Sequence, residues 1–265
     1  MAVATHFTMV GFDVDLQNQA ALTRSVAQMM TSCTTDALSK TQVICLQRDA
    51  SGAEIRVGLV LGGNNGVSIA TLNPGFLGEG RTTVKVTGDV SDPDSKPFEV
   101  TISAQFDGEN TPLAFDLADP EQARRFASGD HLTLDISAFS SEPTIFANAD
   151  AFLKSQSAPD RKVKFASNYF IPSGMFFEHV GGAMPDNAKM PIAYADFAGT
   201  VLRSELRTNV VGQKKFWWAL VKTYDDATID VVMDPSTIAK DPAPGTIVTG
   251  RFWLSAHAIE TAKQD

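Results

Sequence analysis

Ser173 stands in Pro172-Ser173-Gly174-Met175, with His179 six positions on and Glu178 or Asp186 available to orient an imidazole. A serine nucleophile needs an adjacent base and an exposed hydroxyl. This serine lacks the Gly-x-Ser-x-Gly elbow, so the expected role is a turn serine bonding to local backbone. His131 and Asp135 share one face of a strand. At about 13 Å apart along it, they cannot hold one ion together without a bulge. Gly62-Gly63-Asn64-Asn65-Gly66 has no lysine after it and reads as a hairpin turn rather than a phosphate loop. Gly75, Gly78 and Gly80 lie outside a strand-to-helix context, so no dinucleotide fingerprint is present. No cofactor is expected.

Binding chemistry has a stronger signal. All three tryptophans fall in Phe216-Trp217-Trp218-Ala219-Leu220-Val221 and Phe252-Trp253-Leu254. Successive strand residues point to opposite faces, so one of Trp217 and Trp218 belongs to a core and the other lies outside. Trp253 points away from Phe252 and Leu254. An outward tryptophan is either a ligand platform or packing for another part of the protein. Trp217 and Trp253, with Tyr169 and Phe170 from an upstream loop, are the candidate binding residues. Cover by the chain's own Phe170-to-Phe177 segment is favoured over a ligand.

The elements that must position these residues read as α+β, rich in β. Residues 1–80 form a βαβββ module. Its first strand is Thr8 to Val14, and a helix capped by Asp15 carries Leu22, Val26, Met29 and Met30. Gln42 to Arg48 and Glu54 to Leu61 then form a hairpin across Asp49-Ala50-Ser51-Gly52. Residues 81–155 form a β-rich middle with strands near Thr83–Thr87, Phe98–Ile102 and Leu132–Ile136. Asp119 is expected to cap a short helix beginning at Pro120, and a second runs from Ala149 to Lys154. Residues 156–192, rich in proline, glycine and aromatics, read as a packed loop and linker. Residues 193–265 form an OB-like small barrel with strands at 198–205, 216–224, 228–233 and 246–256. Five strands require a bend in the last one, at Gly250.

Several blocks together resemble a family of uncharacterised bacterial proteins. They are Phe7-Thr8-Met9-Val10-Gly11-Phe12-Asp13-Val14, Gly52-Ala53-Glu54-Ile55, Asn73-Pro74-Gly75-Phe76, Phe170 to Phe176 and Gly250-Arg251-Phe252-Trp253-Leu254-Ser255. The resemblance implies a shared architecture and no chemistry. The chain departs from it in carrying Gly75 where a histidine is expected in relatives. The βαβββ order also looks like one module of the vicinal-oxygen-chelate superfamily, which pairs two modules around a metal. That resemblance places His6 and Glu54 where ligands would sit. Two ligands are short of the three or four a divalent site needs. The plain alternative makes His6 a strand cap and Glu54 a solvated edge residue.

Acidic residues outnumber basic ones, 31 to 22, for a net charge of -9. Phosphate contacts dominate nucleic-acid affinity, so this charge argues against nucleic acid as a partner. Lys214-Lys215 is the one basic pair near the tryptophans. No apolar run approaches the ~20 residues of a membrane span, and the N-terminus carries no secretory pattern. Cys33 and Cys45 read as a near-exposed thiol and a buried hydrophobe, with a bridge possible but not indicated. The expectation is a cytoplasmic, non-enzymatic binding or interaction protein with a protein partner. The alternatives are a metal-dependent enzyme of the vicinal-oxygen-chelate type and, third, a single-stranded nucleic-acid binder.

Overall fold

A computed structural model describes residues 5–13, 18–62, 66–94, 96–108, 111–140, 142–157, 163–173 and 193–262. Near the N-terminus the apolar run does not extend into a strand. It winds into a 3-10 turn, Thr8–Val10, closed by Gly11 at φ 74°. Its backbone groups bond locally, with Phe12 N donating to Phe7 O at 2.9 Å, and Asn209 Nδ2 donates to Val10 O at 2.7 Å. Met9 and Val10 are fully buried. The hydrophobicity is that of a buried segment, but a tight turn removes these side chains from water as well as a strand does, and no partner strand is needed.

Helix α1 (Gln19–Met30) follows, capped by Asn18, whose side chain accepts from Ala21 N; Asp15 lies outside the described residues. Val26 and Met29 face inward. Four antiparallel strands come next: β1 (Thr34–Ala37), β2 (Gln42–Arg48), β3 (Ala53–Leu61) and β4 (Val67–Phe76), in that spatial order. The expected β2–β3 hairpin is present, with Arg48 opposite Glu54. The βαβββ order is not formed over the described residues, since the first sheet strand comes after the helix. Cys33 and Cys45 are joined by a disulfide with Cα atoms 5.5 Å apart, tying the end of α1 to β2.

The second sheet closes on itself. It comprises β5 (Thr82–Asp89), β6 (Thr101–Phe106), β7 (Pro112–Leu117), β8 (His131–Phe139), β9 (Thr144–Phe146), β10 (Phe170–Pro172), β11 (Tyr194–Asn209), β12 (Lys214–Lys222), β13 (Thr228–Met233) and β14 (Ile247–Ala262). Eight of them pair in a closed circuit, β11-β12-β13-β8-β5-β6-β7-β14, and β8 also pairs directly with β14 across it. This closed barrel is compatible with the OB-like barrel expected. Strands from 81–155 and from 193–265 are hydrogen-bonded into one sheet. They also share one core: Val84, Ile102, Phe115 and Leu134 pack with Phe197, Val221, Ile229 and Phe252. Gly250 does not break β14, whose one register shift lies between Ala258 and Glu260. Helix α2 (Ala149–Ser155), capped by Asn148, packs Phe152 beside Ala198 and Ile247 on the barrel's flank.

The two sheets meet through a second apolar cluster. Val10, Ile55, Val57 and Phe76 from the N-terminal part contact Phe139, Phe216, Trp218 and Val232 on the outside of the barrel. Burying each large side chain this way contributes roughly 1.5–3 kcal/mol.

Candidate functional site

Strand parity correctly separates the adjacent tryptophans. Trp217, with Ala219 and Val221, packs on the barrel core; Trp218, with Phe216, faces outward into the seam between the sheets. The outward ring is covered by the N-terminal part and by Arg207, whose guanidinium carbon lies 4.0 Å above it. Phe170 also belongs to the barrel core, stacked on Phe197. Tyr169 sits on the flank between Phe152 and Phe165, its hydroxyl 3.1 Å from Thr249 Oγ1. Residues 174–177 of the proposed covering loop lie outside the described residues. Trp217, Trp253, Tyr169 and Phe170 therefore do not form one platform: β12 and β14 present their rings to different layers.

Trp253 is the member that reaches a cavity. A cleft of about 1190 Å³ is lined by residues of both the N-terminal sheet and the barrel. From the sheet come Ile44, Arg56, Gly58, Leu72, Asn73 and Pro74. The barrel contributes Phe98, Glu99, Asp116, Tyr194, Trp253 and Ser255, and Thr5, His6 and Phe7 also line it. His6 stacks on Trp253 with ring centroids 5.0 Å apart and planes 11° from parallel. It does not cap a strand. Burial holds its pKa below the ordinary histidine value, which favours the neutral imidazole.

Asp116, at the end of β7, faces the same cleft. Its Oδ1 accepts from Thr101 Oγ1 at 2.6 Å and its Oδ2 from Trp253 Nε1 at 2.6 Å. Burial raises its pKa, and the neighbouring Glu99 adds to that, against the two hydrogen bonds. Tyr194 is raised by burial and by Asp116.

Behind Arg56 lies a denser cluster. Glu54 is fully buried, the reverse of a solvated edge residue. Its carboxylate receives Arg48, Arg56 and His257, whose Nε2 is 3.1 Å from Oε2. Burial alone would raise the Glu54 pKa, but these cations bring it down to about 2. His257 Nδ1 lies 2.7 Å from Asp119 Oδ2. Burial would lower His257, and Arg56 does too; its bonds to Asp119 and Glu54 prevail and raise it. Asp119 precedes the 3-10 helix Pro120–Arg125 but makes no side-chain cap, because its carboxylate is engaged by His257. Gly75 is opposite Glu54 in the β3–β4 ladder. A Cβ there would come within 2.5 Å of Arg56 Nη1 and 2.9 Å of Glu54 Oε2, so a side chain at 75 would compete with the Arg56–Glu54 pair for space.

His6 and Glu54 are thus held by different partners. His6 rests on Trp253, while both oxygens of Glu54 are taken by cationic side chains. Among the described residues no group of three or more His, Cys, Asp or Glu is placed to hold a metal ion. Ser173 N donates to Tyr194 O at the end of β10, a backbone role. Its candidate partners Glu178, His179 and Asp186 all lie outside the described residues. His131 pairs with Asp107 at 3.1 Å rather than with Asp135.

Asp135 instead faces Asp230 on β13. Gly78 N donates to Asp135 Oδ2 at 2.7 Å, and Gly80 N and Trp218 Nε1 donate to Asp230 at 2.6 and 2.5 Å. Burial and the Asp230 charge push Asp135 up to about 8, so at neutral pH the pair holds one proton between its two carboxyl groups. Gly78 approaches so closely that a Cβ there would overlap the Asp230 carboxyl group.

Sequence reasoning named Trp253, His6 and Glu54 but missed Arg56, Asp116 and His257. Each of these is a polar residue in a strand whose neighbours are apolar, and that interruption was the available signal. Comparison with protein-family models and with curated proteins finds no match for this chain. No helix among the described residues is long and apolar enough to cross a membrane.

Proposed function

We propose that this is a binding protein that holds its ligand in the cleft between the N-terminal sheet and the barrel, without turnover. One observation carries the reading: a cavity of about 1190 Å³ whose walls mix the aromatic side chains Trp253, Phe98 and Tyr194 with polar ones, among them Arg56, Asn73, Glu99 and Asp116. Ligand sites pair apolar walls that bury the ligand with polar groups that fix its orientation. A protein partner was expected because outward aromatics suggested an exposed patch. In the fold the outward Trp218 is covered by the chain itself, which moves the reading towards a ligand held in the open cleft. The barrel, compatible with an OB-like type, serves as the rigid wall. The Cys33–Cys45 bond suits an oxidising compartment better than the cytoplasm.

The test is a thermal-shift screen of small organic compounds against the wild type and Trp253→Ala. Hits that stabilise only the wild type support the reading. Hits that stabilise both variants equally, or turnover of a hit by the purified protein, overturn it.

A further inference from the structure

The cleft has a marked charge imbalance. Its ionisable walls are Asp92, Glu99, Asp116, Arg56, His6 and Tyr194. Arg56 is already matched by Glu54 behind it, and the imidazole of His6 is held towards its neutral form. Among the described residues, Glu99 accepts from Asn73 Nδ2 alone, at 3.2 Å. Asp116 accepts from two neutral donors, the Thr101 hydroxyl and the Trp253 indole, and has no cationic partner among the described residues. A carboxylate removed from water is stabilised by an opposite charge far more than by neutral donors. The apolar sides of the cleft, Phe98, Pro74 and Leu72, suit a hydrocarbon or aromatic body beside that charge.

We propose that the cleft selects a small organic amine, its ammonium group paired with Asp116 and Glu99 and its apolar body against Phe98 and the β4 wall. This rests on the cleft being the ligand site. No covalent step is involved. An ammonium near Asp116 would oppose the burial and the Glu99 charge that now raise its pKa, so binding releases protons wherever Asp116 is partly protonated in the free protein.

The experiment is calorimetric titration of the intact protein with three probes of similar shape: 2-phenylethylamine, 2-phenylethanol and 3-phenylpropionate. The amine is expected to bind at least about ten-fold more tightly than the alcohol, and the acid more weakly than either. Asp116→Asn and, separately, Glu99→Gln should each reduce amine affinity several-fold and leave alcohol affinity within about two-fold. Glu99→Gln keeps the test decisive if Asp116→Asn fails to fold. Equal binding of the amine and the alcohol, or preference for the acid, overturns the charge assignment while leaving the cleft as a ligand site. Binding of the amine that neither variant weakens overturns it as well. If none of the three probes binds while other compounds meet the Trp253-dependent criterion above, the amine proposal falls and the binding reading stands.

Discussion

Asp116 and Asp119 are three residues apart at the same end of the barrel, and their surroundings are opposite. Asp119 meets His257, which is joined in turn to Glu54, Arg56 and Arg48, and its pKa is lowered despite burial. Among the described residues, Asp116 meets Thr101, Trp253 and the repulsive Glu99, and its pKa is raised. One part of the interface between the sheets is closed by complementary charges; the adjoining part leaves a carboxylate unmatched beside a cavity. A buried ion network whose charges are matched holds two layers in register, even with Arg56 Nε left without a hydrogen-bond partner among the described residues. A half-buried carboxylate without a cation costs stability, and in the reading proposed above it is the group that meets a ligand's cation.

The largest effect should come from breaking the completed side. His257→Ala removes the side chain bonded to Asp119 and one of the three bonded to Glu54, and is expected to destabilise by about 3–5 kcal/mol in urea denaturation. A loss below about 1 kcal/mol would mean that the network is dispensable and that the contrast with Asp116 is superficial.

Next in size is the disulfide. Cys33 and Cys45 close a short loop, so Cys33→Ser is expected to cost about 3 kcal/mol. Adding reductant to the wild type should reproduce most of that loss, which thermal melts would show.

The pH profile sharpens the contrast between paired acids. Glu54 has its pKa lowered to about 2, so its contribution is present above its ordinary 4.5 and is lost as pH falls towards 2. Asp135 has its pKa raised to about 8, so its contribution is complete below 3.8 and is lost as pH rises through 8. From these two groups stability should therefore decline on both sides of a maximum at about pH 4, between the ordinary values of 3.8 and 4.5. Asp135→Asn should flatten the alkaline limb alone; equal flattening of both limbs would contradict the assignment.

The smallest expected change is Asp116→Asn in the absence of ligand, within about 1 kcal/mol of wild type and with either sign. Removal of an unmatched charge offsets the loss of one good acceptor. A loss as large as that of His257→Ala would show that Asp116 is structural.

Much of the local structure was legible along the chain. The β2–β3 hairpin followed from alternating apolar residues around Asp49-Ala50-Ser51-Gly52, and β13 at Thr228–Met233 from its own apolar run. The alternation in Phe216–Val221 also stated that Trp217 and Trp218 face opposite ways. The Thr8–Val14 strand was misread because a run of apolar residues reports burial without reporting backbone shape, and Gly11 turns the chain there. For the site, only Trp253, His6 and Glu54 could be singled out, and the company each keeps could not. Arg56 and His257 are 201 positions apart, and Asp116 and Trp253 are 137 apart, so no local spacing connects them.

The sequence by itself determined a β-rich chain with acidic charge and a strict inward–outward alternation in its tryptophan strands, because side-chain period is a property of the local backbone. Only the tertiary structure decided that the middle and C-terminal strands close one barrel and that the N-terminal sheet covers Trp218. It likewise decided that Asp119 is matched while Asp116 is not. These outcomes depend on which distant strands meet, and burial in a shared interior, rather than residue type, sets whether a carboxylate completes a network or awaits a partner.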